Sequence, residues 1–243
     1  MNNYKLKYFK YNNYCLLISW PEMIDEKINN DVNQFKVAIE SSTSNILEVR
    51  SSYCSLLVIF DKEIQDIDKI ETNLNNLYVS RKSLTKTERF LWNIPVCYEK
   101  SFALDIDLIS KQNKISNKEI IKRHIDTIYS VYLIGFLPGF LYLGSVDEKI
   151  QIPRKKQPRL RVPRGAVAIA DEQTGVYPQE SPGGWNVLGN TPISLFNKLK
   201  VEPCFAKPGD RVKFFQISED QYKLIEKEVE LDLYELNKEI LND

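Results

Sequence analysis

Histidine is almost missing: His124 is the single imidazole in 243 residues. That excludes a histidine-rich metal centre, and no metal site is expected. Any Ser-His-Asp or Cys-His arrangement would have to use His124, which sits on a predicted helix and reads as a packed, hydrogen-bonded side chain. Cysteine is scarce as well. Cys15, Cys54, Cys97 and Cys204 show no metal-ligand or redox spacing. A chain long enough to bury its own core does not need disulfide staples, so these read as reduced, mostly buried thiols in a cytoplasmic protein. Net charge is zero, with 33 basic and 33 acidic residues, which removes any global bias toward nucleic acid or anionic membrane. No apolar run reaches membrane-spanning length. The alternating polar and aromatic residues of Met1 to Lys10 do not read as a signal peptide. Neither a Gly-x4-Gly-Lys-Ser/Thr loop nor a Gly-x-Gly-x-x-Gly loop is present, so a nucleotide bound here would need an unconventional pocket.

Glycine is absent from the first 134 residues. All nine glycines fall between Gly135 and Gly209, and nine of the eleven prolines fall between Pro138 and Pro208. Both residues punctuate turns, so the chain divides by composition. The first part reads β-β-α-β-β-α: strands at Tyr4–Lys10, Tyr14–Trp20, Ile46–Arg50 and Ser55–Phe60, with helical stripes over Glu22–Glu40 and Asp66–Val79. That order suits a small antiparallel α+β domain over 1–88, with Thr85–Phe90 as linker. A strand at Asn93–Tyr98, helices at Asp105–Lys111 and Asn117–Ile128, and a strand at Tyr129–Phe136 follow. Short β-like segments between dense turns then predict a β-barrel or sandwich to residue 217. The charged tail over 218–243 carries helical spacing and predicts a C-terminal helix.

Three segments of the turn-rich half are candidates for chemistry. Gly135 to Gly144, with Pro138 and Phe140, is an aromatic-lined turn in which glycines permit close backbone approach; it also reads as a buried corner. Lys149 to Arg164 holds seven cations and no acid. Three prolines keep it extended, and a stiff basic segment suits carboxylate or phosphate binding; a solvated edge is the alternative. Gln173 to Pro178, followed by Ser181-Pro182-Gly183-Gly184-Trp185, offers backbone N–H groups at Gly183 and Gly184 for an anion. Gln173, Thr174 and Tyr177 supply neutral polar groups, and Trp185 can wall a pocket. A Gly-Gly hairpin under a core tryptophan fits the same residues.

At these segments the chain resembles the KipI / PxpB family of 5-oxoprolinase B-subunits, also called allophanate hydrolase subunit 1. The resemblance is carried by Ile94-Pro95-Val96-Cys97-Tyr98, Gly135-Phe136-Leu137-Pro138-Gly139-Phe140, Pro153-Arg154, Arg161-Val162-Pro163, Gln173 to Pro178, Ser181 to Trp185 and Pro208-Gly209-Asp210. The N-terminal half matches more loosely, chiefly at Tyr53 and Ser55 to Val58. Departures are Glu99-Lys100 in place of Gly-Gly, Asp171-Glu172 in place of a small residue, and Arg164.

The resemblance implies an α+β chain: a small N-terminal domain followed by a cyclophilin-like β-barrel. It also implies partnership with PxpC and PxpA subunits in an ATP-dependent conversion of 5-oxo-L-proline to L-glutamate. On that reading Arg161, Gln173, Thr174 and Tyr177 are the catalytic candidates. Arg159, Pro138, Phe140, Ser181, Gly183, Gly184 and Trp185 are the substrate-binding candidates. Arg161 and Arg159 neutralise carboxylate or phosphate, the Gly183–Gly184 backbone with Gln173 and Thr174 meets developing negative charge, and Tyr177 and Trp185 exclude water. The alternative is a KipI-like binding module that inhibits a histidine kinase without catalysis of its own.

Overall fold

The computed structural model describes residues 4–42, 45–81 and 88–241. The chain forms two compact units, Met1–Thr87 and Glu88–Asp243. Residues 85–87 of the expected linker lie outside the described residues, and Phe90 already belongs to a strand.

In the first unit, β1 (Lys7–Lys10), β2 (Cys15–Ser19), β3 (Ile46–Ser51) and β4 (Ser55–Phe60) form an antiparallel sheet of order β1-β2-β4-β3. Alternation aims Leu16 and Ile18 of β2, and Leu56, Val58 and Phe60 of β4, at one buried face. Helix α1 (Glu26–Ser42) covers that face with Ile28, Val32, Phe35 and Ile39, the three-four spacing of an amphipathic helix. Helix α2 (Ile67–Ser80) is capped by Asp66, whose carboxylate accepts the Lys69 N–H at 3.0 Å. One buried carboxylate sits in this core. Asp31 accepts from the Trp20 indole at 2.8 Å and the Tyr78 phenol at 2.6 Å, and pairs with Arg81.

The second unit is a closed seven-strand barrel. Strands β5 (Phe90–Cys97), β6 (Ile128–Ile134), β7 (Leu141–Gly144), β9 (Ala166–Ala170), β10 (Gln173–Val176), β12 (Asn186–Asn190) and β13 (Arg211–Ile217) run in the order β12-β9-β10-β7-β6-β13-β5. The pair Asn190 and Cys97 joins β12 back to β5 and closes the ring. The β13–β5 ladder is parallel and the others are antiparallel. Between β5 and β6, helices α3 (Ile106–Asn113) and α4 (Asn117–Asp126) send Ile106, Ile109 and Ile120 into the main core. Ser116 caps α4 by accepting the Glu119 N–H. Strands β8 (Arg159–Val162) and β11 (Ser181–Gly183) pair as a separate ribbon with an irregular register. The α+β class and the barrel expected from sequence are both present.

The tail departs from the helical reading. Helix α5 (Glu219–Glu230) carries a complete capping box at Ser218 and Gln221, but it stops at Leu231, and Asp232 takes a φ of 54°. The chain then returns as β14 (Lys238–Ile240), paired with Trp92, Leu91 and Phe90. The reason is an open edge. Strand β12 reaches only the end of β5 at Cys97, and β14 takes up the backbone groups at its other end. The thiols differ too: Cys97 is buried, while Cys15, Cys54 and Cys204 are partly exposed, and all four are unpaired.

Candidate functional site

The site is built on one strand that is buried on both faces. Along β9, Val167 and Ile169 enter the main core, while Ala166, Ala168 and Ala170 face a second cluster. Three methyl groups in a row leave a shallow recess, and aromatic rings fill it. Phe140 lies edge-on to Tyr177 at 5.0 Å and to Trp185 at 5.5 Å, and 4.7 Å from Tyr142. Strand β10 repeats the logic. A Cβ at Gly175 would come within 2.9 Å of the Trp185 ring and 2.6 Å of the Leu141 carbonyl oxygen, so glycine is what lets the rings sit down.

Above these rings a cavity of about 410 Å³ remains, within the roughly 300–1,000 Å³ of small-molecule pockets. Its walls are Phe136, Phe140, Tyr142, Tyr177 and Trp185, and its polar lining is Arg154, Asp171, Gln173 and the Gly183–Gly184 backbone. Phe136 stands 62% exposed beside the cavity with a φ of 68°, unusual for a bulky residue. Burial pushes the Tyr177 phenol up, so it stays neutral, and the Trp185 backbone N–H bonds its oxygen.

Of the sequence candidates, Gln173, Tyr177, Phe140, Gly183, Gly184 and Trp185 line this cavity. Thr174 does not, because adjacent strand residues face opposite sides: its hydroxyl lies in the barrel interior against His124 and the Ala168 carbonyl. Arg161 is 82% exposed and stands 3.7 Å from Glu180, outside the cavity. Pro138 is exposed, and the buried Ser181 bonds the Pro182 carbonyl. Arg159 is held by Asp105, donating at 2.6 and 2.8 Å to its two carboxylate oxygens.

Sequence reasoning missed Asp105. This buried carboxylate also takes Lys155 at 2.6 Å and the Val187 N–H at 2.8 Å. Burial alone would raise its pKa; the hydrogen bonds from Arg159, Lys155 and Val187 reverse that and hold it below the ordinary carboxylate range. The basic segment is thereby tied to β12, and the Lys155 N–H reaches the Gly184 carbonyl at 2.8 Å. Arg154, next in the chain, faces the cavity. The excess of cations over 149–164 announced an anion partner; part of that partner is internal.

His124 is fully buried. The Tyr98 hydroxyl lies 2.7 Å from Nδ1 and Thr174 Oγ1 lies 3.1 Å from Nε2. Because Thr174 donates to Ala168, the consistent proton order is Tyr98 to Nδ1 and Nε2–H to Thr174. Burial pulls the imidazole down to about 3, and it stacks on Phe214 at 4.7 Å. It is a structural, neutral histidine.

Comparison with known proteins agrees with this architecture. The carboxyltransferase domain, subdomain C and D, matches residues 6–206. The 5-oxoprolinase B-subunit of Bacillus subtilis is 34% identical over 225 residues, covering 88% of this chain and 94% of that protein. A crystal structure of TTHA0988 superposes with a TM-score of 0.71 at 28% identity, over 84% of this chain and 40% of that longer one. The Kluyveromyces lactis urea amidolyase shares the fold, with a TM-score of 0.85 at 20% identity, over 98% of this chain and 16% of that one. Near-complete coverage of the Bacillus subtilis relative, together with the domain match, means that this chain belongs to the 5-oxoprolinase B-subunit family.

Proposed function

We propose that this chain is the PxpB-type subunit of a cytoplasmic, ATP-dependent 5-oxoprolinase complex that opens 5-oxo-L-proline to L-glutamate. It works with PxpA- and PxpC-like subunits and is inactive alone. The observation that carries the reading is its similarity to the Bacillus subtilis 5-oxoprolinase B-subunit over 94% of that protein. The same fold occupies 40% of TTHA0988 and 16% of a urea amidolyase, which supports action beside further protein segments.

The chemistry required is hydrolysis of a resonance-stabilised cyclic amide, which water attacks very slowly. ATP held in the assembled complex would phosphorylate the lactam oxygen and release ADP. Water would then add to the activated carbon, and the C–N bond would break to free the amine. A second water would release phosphate and leave the carboxylate of glutamate. An aromatic-walled recess with one arginine and one carboxylate among its lining residues fits a small polar ring better than a triphosphate, so ATP is assigned to the complex and to no residue of this chain. Phe140, Tyr177 and Trp185 shield the ring from bulk water and strengthen polar contacts within. The backbone at Gly183 and Gly184, beside Arg154, offers donors to the negative charge of the substrate.

A deletion strain tests this in the cell. Without the gene, cells should accumulate 5-oxoproline and lose growth on it as nitrogen source, and the restored gene should return both. Unchanged growth and unchanged 5-oxoproline would defeat the assignment.

A further inference from the structure

We infer that Arg154 and Gln173 are the pair that reads the substrate in this cavity: Arg154 takes a carboxylate and Gln173 takes the edge of a cyclic amide. The inference rests on the oxoprolinase reading and adds which side chains orient the ring.

A five-membered lactam cannot adopt the trans amide. Its N–H donor and C=O acceptor therefore lie on one edge, side by side. A primary carboxamide presents one acceptor and one donor in the same spacing, so a glutamine can meet that edge with two parallel hydrogen bonds. Gln173 opens β10 on its outward side, as Gly175 does two residues on, and it lines the cavity. Among the described residues its carboxamide has no hydrogen-bond partner within the protein, nor has the Arg154 guanidinium. Both groups are left available to a ligand.

Arg154 is the arginine left for this task. Arg159 spends both terminal nitrogens on Asp105, and Arg161 points away toward Glu180. The Arg154 guanidinium lies over Gly184, where an added Cβ would stand 3.8 Å from its Nε. It therefore shares one end of the cavity with the Gly183–Gly184 backbone, and a planar fork there matches a carboxylate. Asp171, the acidic side chain of the lining, penalises any pose that carries the substrate carboxylate toward it. A ring with a carboxylate on one side and a cis amide on the other has one orientation that satisfies all three.

The test is calorimetric binding to the chain assembled with its partner subunits, without ATP. The probes are 5-oxo-L-proline, 2-pyrrolidinone, which lacks the carboxylate, and L-proline, which lacks the lactam carbonyl. Arg154→Ala should weaken 5-oxoproline by roughly tenfold or more and leave 2-pyrrolidinone unchanged. Gln173→Ala should weaken both lactams by a similar factor and leave L-proline unchanged. Both side chains are at least partly exposed, so unfolding temperatures should match the parent protein and show that the fold is intact. No binding of 5-oxoproline to the parent complex, or equal binding by parent and both variants, overturns the inference. The predicted binding pattern without any turnover in the presence of ATP would leave the pair standing and defeat the oxoprolinase reading instead.

Discussion

Arg159 grips Asp105 through both terminal guanidinium nitrogens, 2.6 and 2.8 Å from the two carboxylate oxygens. The carboxylate is 4% exposed and also holds Lys155 and the Val187 N–H. Removing it strands two cations and a buried donor. Because Arg159 and Lys155 keep some contact with water, Asp105→Ala should cost about 3 kcal/mol, the low end for breaking a buried pair. Urea unfolding at pH 7 measures it. The lowered folded pKa sets the sign with pH: this contribution is complete above the ordinary carboxylate range and is lost as pH falls below about 4.

His124 governs an earlier acid window. Its imidazole protonates near 6.5 when unfolded but only at about 3 in the fold, so the unfolded chain binds the extra proton between those values. Stability is full above pH 6.5 and falls as pH drops, by up to about 1.4 kcal/mol per unit. His124→Gln keeps a hydrogen-bonding group between Tyr98 and Thr174 and removes the titration. Its urea-unfolding free energy should be nearly flat between pH 6 and 4.5, where the parent protein slopes; equal slopes would refute the neutral buried histidine.

Gly183 tests the cavity itself. A Cβ there would stand 2.4 Å from the Tyr177 hydroxyl and 2.9 Å from its ring, and Tyr177 is packed too tightly by Phe140 to withdraw. Gly183→Ala should lower stability by about 1–3 kcal/mol and reduce 5-oxoproline binding by the assembled complex. Thermal unfolding and calorimetry read the two effects, and unimpaired binding would place the ligand elsewhere.

The N-terminal unit has its own polar keystone in Asp31. Asp31→Ala leaves Arg81 and the Trp20 and Tyr78 donors without their acceptor and should destabilise that unit by about 3–5 kcal/mol. Hydrogen exchange resolved by segment should show lost protection in 4–81 and native protection across the barrel strands; a loss spread equally over both units would contradict the division.

Much of the fold was legible because alternation and helical stripes report burial directly. Leu16, Ile18, Leu56 and Val58 announced a one-sided sheet, and the glycine boundary at Gly135 marked the turn-rich half. The site was legible in part. Gln173, Tyr177, Gly183, Gly184 and Trp185 came together as their motifs suggested. Thr174 lies outside the cavity that Gln173 lines, because a strand of period two sends neighbours to opposite faces. Among like-charged neighbours, sequence does not show which is consumed internally. The sequence reading favours Arg159 and Arg161 and passes over Arg154, yet Asp105, fifty-four residues from Arg159, holds Arg159, and Arg154 is the arginine that lines the cavity. The tail misled for a related reason: Lys238 to Ile240 form a strand only because β5 leaves an edge open.

The most direct test of the whole account is glutamate release from 5-oxo-L-proline and ATP, with this chain alone, with the PxpA- and PxpC-like subunits alone, and with all three together. Release confined to the full mixture, matched by ADP formation, is the predicted result. Equal release when this chain is omitted, or none from a complex shown to have assembled, would contradict it.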